Sequence, residues 1–202
     1  VFTKELVEIN LQKEISKGNL LIGLNQYLGD SDEKEDFLIF ETKNKLLKVR
    51  SSNGIVHKSK DIKIVFKKVL LENPYIVERL VSKPFASYES AQKASITLEK
   101  EGLKPRITMP DNWELWLPIE NKDQIKNDFV IKRQIVKNKI VPYISNEFIN
   151  KKLLGPISIA SNENIRINEI SYGKNFYLLK DSYGTWTLVQ KIPFEKYLNG
   201  VL

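Results

Sequence analysis

Short apolar runs separated by polar turns recur along the chain and predict that most of it forms strands. The run over residues 19–24 is nearly continuous, as in a buried strand, whereas residues 62–66 begin with the alternation of a half-buried strand. Asn53-Gly54 is a turn signal between two such runs. The predicted strands are 19–24, 37–40, 46–49, 62–66, 75–81, 104–109, 113–117, 135–144, 155–159, 165–167, 176–179 and 185–189.

A helical spacing of apolar residues occurs in the middle of the chain, over residues 88–101. Tyr88 and Leu98 would lie on one face of this helix. Ser87 is placed to cap its first turn, and Gly102 is placed to end it. We therefore predict one well-defined helix between two groups of strands.

The order of these elements divides the chain into three parts. The apolar pattern of residues 75–145 predicts the order β-α-β-β-α-β, with a second helix over 121–129. Residues 1–74 and 146–202 predict strands on either side, and residues 1–18 within the first part predict a short helix or arm. The expected fold class is α+β: a strand-rich domain formed by both ends of the chain, interrupted by a ferredoxin-like module.

The last predicted element is an amphipathic helix that starts after Pro193 and reaches the final residue within two turns. Its apolar face would need a packing partner, so we expect the 202 residues to be a fragment cut inside this element. The sequence has no run of about 18 apolar residues, so no membrane span is predicted.

Charge and composition limit the classes of function. The net charge is +7, mostly from lysine, which favours polyanionic partners such as nucleic acid, anionic lipid or cell-wall polymers. The arginines that base and phosphate readers favour do not cluster here. They are Arg50, Arg79, Arg106, Arg133 and Arg166.

Residue types that carry metal or nucleophilic chemistry are scarce. The absence of cysteine excludes disulfides, thiolate metal sites and a cysteine nucleophile. The single histidine, His57, is predicted to be a polar turn residue and cannot form a zinc site alone. No phosphate-binding loop, dinucleotide fingerprint or Gly-x-Ser-x-Gly elbow is present, so no cofactor is predicted.

The end of the chain, Ile-Pro-Phe-Glu-Lys-Tyr-Leu-Asn-Gly-Val-Leu, carries a family resemblance. It resembles the Val-Pro-Leu-Glu-x-Tyr-Leu-x-Gly-Val-Val stretch of the stage II sporulation protein D family, also called the amidase-enhancer family. The matching residues are Pro193, Glu195, Tyr197, Leu198, Gly200 and Val201. The resemblance implies a periplasmic or extracytoplasmic protein of the cell envelope that remodels peptidoglycan, either as a lytic transglycosylase or as a partner of a cell-wall amidase.

The same resemblance implies where the chemistry lies. The proposed catalytic acid of the family is a glutamate that follows this stretch, so it would lie beyond Leu202. Such an acid protonates the glycosidic oxygen and needs a raised pKa. We predict no catalytic residue within this chain and place Glu195 in the first turn of a helix, where its charge complements the helix N-terminus.

Residues 75–145 resemble the SPOR domain, a small peptidoglycan-binding module. Their Phe-Ala-Ser-Tyr-Glu-Ser-Ala-Gln-Lys-Ala sequence is followed by a Gly-Leu pair and an aromatic strand. The residues that fit the SPOR pattern are Phe85, Ser87, Ala91, Leu98 and Gly102. The second half of the module departs most from that pattern.

Aromatic residues of this module are candidates for stacking on sugar rings. The candidate glycan-binding residues are Phe85, Tyr88, Arg106, Trp113 and Trp116. On a strand, Trp113 and Leu115 would share one face and Trp116 the other, beside Arg106. Trp116 would then serve either as a sugar platform or as a packing contact with the flanking strands.

Two other functions fit the same residues. One is a peptidoglycan-binding or amidase-activating protein without any active site. The other is a basic RNA-binding module, because β-α-β-β-α-β also describes an RNA-recognition fold. The adjacent aromatic strand motifs of that RNA-binding fold are missing here.

Overall fold

The computed structural model describes residues 18–30, 36–108, 112–125, 128–146, 148–181 and 184–201. The predicted arm over residues 1–18 lies outside this part of the chain, except for Gly18. Strands dominate the described residues and pair in antiparallel sheets, as expected of a strand-rich α+β protein. Within this part of the chain, neither helix has the length and apolar character needed to cross a membrane.

The elements are named here in chain order. The strands are β1 (Asn19–Leu28), β2 (Asp36–Glu41), β3 (Leu47–Ser51), β4 (Val56–Ser59), β5 (Asp61–Ser82), β6 (Arg106–Thr108), β7 (Glu114–Pro118), β8 (Phe129–Ser145), β9 (Asn150–Lys152), β10 (Ile157–Ala160), β11 (Arg166–Ile167), β12 (Ile170–Ser171), β13 (Asn175–Lys180) and β14 (Trp186–Pro193). The helices are α1 (Tyr88–Lys100) and α2 (Phe194–Val201), with a 3-10 helix at Ile119–Gln124. Every predicted strand overlaps one of these strands.

The chain forms two compact units. The first combines the chain up to Val69 with the chain from Lys139 onward, and the second is Leu70–Asn138. The chain passes between the units twice, within β5 and within β8, so both long strands contribute residues to each unit.

The first unit contains a six-stranded antiparallel sheet in the order β1-β14-β13-β10-β3-β4. Its other strands follow the order β12-β11-β2-β5, in which β2 pairs with the first residues of β5. β9 pairs with the end of β8. Buried side chains of both groups of strands form one core, which includes Phe40, Phe66, Phe176 and Leu188.

Trp186 closes this core at the start of β14. It is 4% exposed, and its indole Nε1 donates a hydrogen bond to the backbone oxygen of Ile140, at 3.1 Å. A buried indole N–H needs such a partner. The ring also lies against Gly155, where a Cβ atom would overlap it.

The second unit pairs the end of β5 with β7, β7 with β6, and β8 with β5, which gives the order β8-β5-β7-β6. Helix α1 covers one face of this sheet through Leu98, which packs against buried Leu80, Leu103 and Leu117. Ser87 caps α1 as predicted: its Oγ accepts a hydrogen bond from the Ser90 N–H.

The predicted second helix over residues 121–129 is wrong. A 3-10 helix ends at Gln124, and Phe129 already begins β8. Ile119 and Ile125 both pack against the leucine core. Ile125 is already in an extended conformation, so the two isoleucines flank a short 3-10 turn and do not form the face of an α-helix.

The predicted strands over 62–66 and 75–81 form a single strand, β5, despite Pro74. β2 pairs with β5 only up to Phe66, and β7 pairs with it from Arg79. Pro74 therefore lies outside the ladders that β5 forms with β2 and β7, while β8 is a further partner of β5. Proline is tolerated in a sheet where its nitrogen does not face a paired strand.

His57 is not a turn residue as predicted. The turn ends near Gly54, whose φ is +84°, and His57 lies in the edge strand β4 opposite Val49. β4 has no fully buried side chain, so its sequence lacks the apolar alternation that identifies a strand.

The contact between Gly155 and Trp186 predicts a steric penalty. Gly155→Ala is expected to lower the free energy of unfolding by about 1–3 kcal/mol, because the new methyl group must displace a packed ring. Gly23→Ala is the matched control, since its Cβ would meet only ordinary contacts from 3.5 Å, and it should stay within about 0.5 kcal/mol. Urea unfolding of both variants measures the difference, and equal losses would contradict the steric account.

Glu163 predicts a pH-dependent contribution to stability. Its carboxylate accepts hydrogen bonds from the backbone N–H groups of Lys45, at 2.9 Å, and Asn44, at 2.7 Å, which hold the pKa of Glu163 below its ordinary 4.5. Because the folded pKa is the lower one, this stabilisation is present above pH 4.5 and is lost as the pH falls through the folded pKa. Glu163→Gln should therefore lower Tm at neutral pH, and the difference should shrink as the pH falls below 4.5. Melting curves across that range, with the exposed Glu120→Gln as control, test this; a constant difference would contradict it.

Candidate binding face of the second unit

Trp116 lies on the face of the second unit's sheet that is opposite α1, called the distal face here. Its cross-strand neighbours are Arg106 on β6 and Val81 on β5. Leu115 and Leu117 point the other way and are buried on the α1 side. Alternation along β7 therefore places Trp116 as the sequence predicts.

The indole of Trp116 is held by Arg79 and Glu114, and Lys132 acts through Glu114. The Arg79 guanidinium lies over the ring, 4.1 Å from its centroid, which is cation–π geometry. The Trp116 Nε1 donates to Glu114 Oε2 at 3.0 Å, and Glu114 Oε1 pairs with Lys132 Nζ at 3.2 Å. The indole is thus anchored at its edge and covered on one side.

The charges on this face are mainly positive. Arg79 also donates to Gln134 Oε1 at 2.8 Å, and burial lowers the pKa of its guanidinium from its ordinary value. Arg106 is exposed, and the Lys132 side chain is 55% exposed, whereas the Glu114 side chain is only 10% exposed. The accessible charges of the distal face are therefore cationic, while its carboxylate is buried and paired.

Phe85, Tyr88 and Trp113 form a separate group at the start of α1. The Phe85 N–H donates to the Trp113 backbone oxygen at 2.7 Å, and the rings of Tyr88 and Trp113 meet edge to face at 5.2 Å. Tyr88 is 41% exposed. The five predicted glycan-binding residues are thus divided between this group and the distal face, and one flat site does not contain them all.

Sequence reasoning missed Arg79, Glu114 and Lys132. Glu114 lies two residues before Trp116 on β7, whereas Arg79 and Lys132 come from β5 and β8, and only the pairing of these strands brings those two near Trp116. Alternation along β7 places Glu114 on the same face as Trp116, but nothing local in the sequence indicates its contact with a residue 18 positions away.

The residues of the family motif lie at the end of the first unit. Pro193 is the last residue of β14, and Glu195 is exposed in the first turn of α2, as predicted. Tyr197 and Leu198 are 40% and 45% exposed, and Gly200 lies in the same helix. Across the described ranges, no group of three His, Cys, Asp or Glu side chains could hold a metal ion.

Comparison with known proteins leaves the function to be argued from the geometry. No family model, no curated protein and no solved structure matches this chain.

The near-complete burial of the Glu114 side chain predicts that both of its contacts contribute to stability. Glu114→Ala should lower the free energy of unfolding by about 1–3 kcal/mol, because it leaves the half-buried indole N–H of Trp116 without its acceptor. Lys132→Met should also lower it by about 1–3 kcal/mol, because the buried carboxylate loses its cation although the ammonium itself is exposed. Chemical unfolding followed by circular dichroism measures both, and a loss below about 0.5 kcal/mol in the lysine variant would contradict this account.

Proposed function

We propose that this chain binds the glycan strands of peptidoglycan, through the distal face of its second unit, as the scaffold part of a cell-wall remodelling protein. The observation that carries the proposal is the held indole of Trp116, with Arg79 over one side and Arg106 next to it on the neighbouring strand. The place in the cell envelope rests on the resemblance to the stage II sporulation protein D and amidase-enhancer family.

The chemistry of the distal face suits a sugar polymer that carries carboxylates. An aromatic ring stacks on the apolar C–H face of a sugar, which contributes about 1 kcal/mol per ring by analogy with aromatic pairs. Arg106 and Lys132 provide donors for the hydroxyl and carboxylate groups that flank such a sugar. Because Glu114 already fixes the indole, little side-chain entropy is lost when the glycan binds.

The topology of the second unit supports the SPOR-like interpretation. Helix α1 connects β5 to β6, and β7 lies between these two strands, which is a split βαβ arrangement. The 3-10 helix in place of a second α-helix is a departure from that module. The SPOR-like identity is therefore part of the proposal.

No catalytic role is proposed for any residue of this chain. Glu195 is an exposed acid in the first turn of α2, and it does not lie in an apolar groove of the kind that holds a general acid. Glycan cleavage is the activity that the family resemblance proposes for the complete protein. Activation of a cell-wall amidase without cleavage is the alternative, and both need glycan binding.

RNA binding is less well supported by the same face. RNA-recognition folds stack two or three bases on aromatic residues of adjacent strands. On the described distal face, β5 offers Arg79 and Val81 opposite β7, and Trp116 is the aromatic residue. One ring fits a single sugar platform better than a multi-base platform.

Co-sedimentation with purified sacculi, intact and stripped of stem peptides, tests the proposal. We expect binding that is stronger on stripped sacculi and weakened about fivefold in Trp116→Leu, the equivalent of about 1 kcal/mol. Arg106→Gln should also weaken binding, by less, without removing any ring. Trp113→Leu is the matched control on the other face of the sheet, and Tm shows that each variant is folded.

Two results would overturn the proposal. One is the absence of binding to either form of sacculi by the folded chain. The other is retention on single-stranded RNA, but not on sacculi, in a form that depends on Trp116.

A further inference from the structure

A groove of about 600 Å³ lies in the first unit, where β13 and β14 meet the start of α2. Its walls combine amide, phenol and ammonium groups with a larger share of apolar surface. Six of the residues that line it are Tyr172, Lys174, Gln190, Lys191, Lys196 and Tyr197.

The side chain of Gln190 is the unusual feature of this groove. Gln190 continues the row of Trp186 and Leu188 along β14, whose side chains belong to the core, and its cross-strand neighbours are Ile22 and Phe176. It is 9% exposed, yet none of the described residues hydrogen-bonds to its amide. Buried amides nearly always have a hydrogen-bonding partner, so this amide is aimed at a partner that the groove admits.

Gly173 keeps the amide in this position. A Cβ atom at residue 173 would collide with Nε2 of Gln190, so the amide packs directly against the glycine backbone. The φ of Gly173 lies outside the left-handed region, so its backbone could accept alanine. Glycine is required at this position because the Gln190 amide occupies the space that a Cβ atom would take.

The charge of the groove selects an anion. Lys174, Lys191 and Lys196 line it, and none of the described lining residues is acidic. Glu163 precedes the lining residue Asn164, but its carboxylate is engaged by the backbone N–H groups of the 44–45 turn. Lys191 already takes part in another interaction, so Lys174 and Lys196 are the ammonium groups that we assign to an incoming anion.

We propose that the groove binds a phosphorylated sugar or polyol. Lysine ammonium groups are point charges that suit a phosphate, whose charge is about −1.5 to −2 at neutral pH. The Gln190 amide both donates and accepts, as a hydroxyl group does, so it recognises the sugar or polyol part. The site lies in a different unit from Trp116 and does not depend on glycan binding there.

Calorimetry with the full chain tests the proposal. Glucose 6-phosphate and glycerol 3-phosphate are the probes. Comparing them shows whether the groove prefers a phosphorylated sugar or a phosphorylated polyol. Glucose, glycerol, glucuronate and inorganic phosphate are the comparators. We expect at least one probe to bind about tenfold more tightly than every comparator, and to weaken as salt is added.

Variants separate binding from stability. Gln190→Leu should weaken binding of the better probe about tenfold while Tm stays equal or rises, because the amide has no hydrogen-bonding partner to lose among the described residues. Gly173→Ala should weaken binding by displacing the amide without a change in charge, and Lys174→Gln should weaken it through charge. Lys58→Gln on the edge strand β4 is the charge-matched control.

Three results would overturn the proposal. Inorganic phosphate or glucuronate could bind as tightly as both probes, so that the hydroxyl groups or the phosphate add nothing. Gln190→Leu could lower Tm and leave binding unchanged, which would make the amide structural. The third result is that neither probe binds at all. That result would not affect the proposed binding of sacculi through Trp116.

Discussion

One row of side chains along β14 constrains the first unit. Trp186 and Leu188 of this row are core residues, and β14 has a pairing partner on both sides, β1 and β13. The hydrogen bond from the Trp186 indole to Ile140 ties the row to β8, a strand that also contributes to the second unit. Because both edges and one face of β14 are held, the position of Gln190 and the start of α2 follow from the same constraint.

Much of the fold could be predicted from the sequence because it depends on local patterns. Apolar runs located the strands, and the serine before the helix located its cap. The errors arose where local patterns are uninformative. β4 is too exposed to alternate, Pro74 looks like a break although β5 continues through it, and the residues after Pro118 form only a short 3-10 helix.

The candidate sites show the same limit in a different form. The orientation of Trp116 followed from alternation along one strand, which is a local property. Its contact with Arg79 depends on the register between β5 and β7, which pairs residues that are far apart in sequence. The sequence also indicates the groove, since a glutamine follows tryptophan and leucine in the buried row of β14. Only the packing reveals that none of the described residues hydrogen-bonds to its amide.

The tryptophans lie in environments that differ physically. Trp186 is enclosed in the apolar core of the first unit, whereas Trp113 and Trp116 belong to the second, one against a tyrosine ring and the other beneath a guanidinium. The sequence has only 3 tryptophans, so replacing two of them leaves a single fluorescent indole. The protein therefore carries its own fluorescent reporters, and the emission wavelength of each can follow the melting of one unit independently of the other.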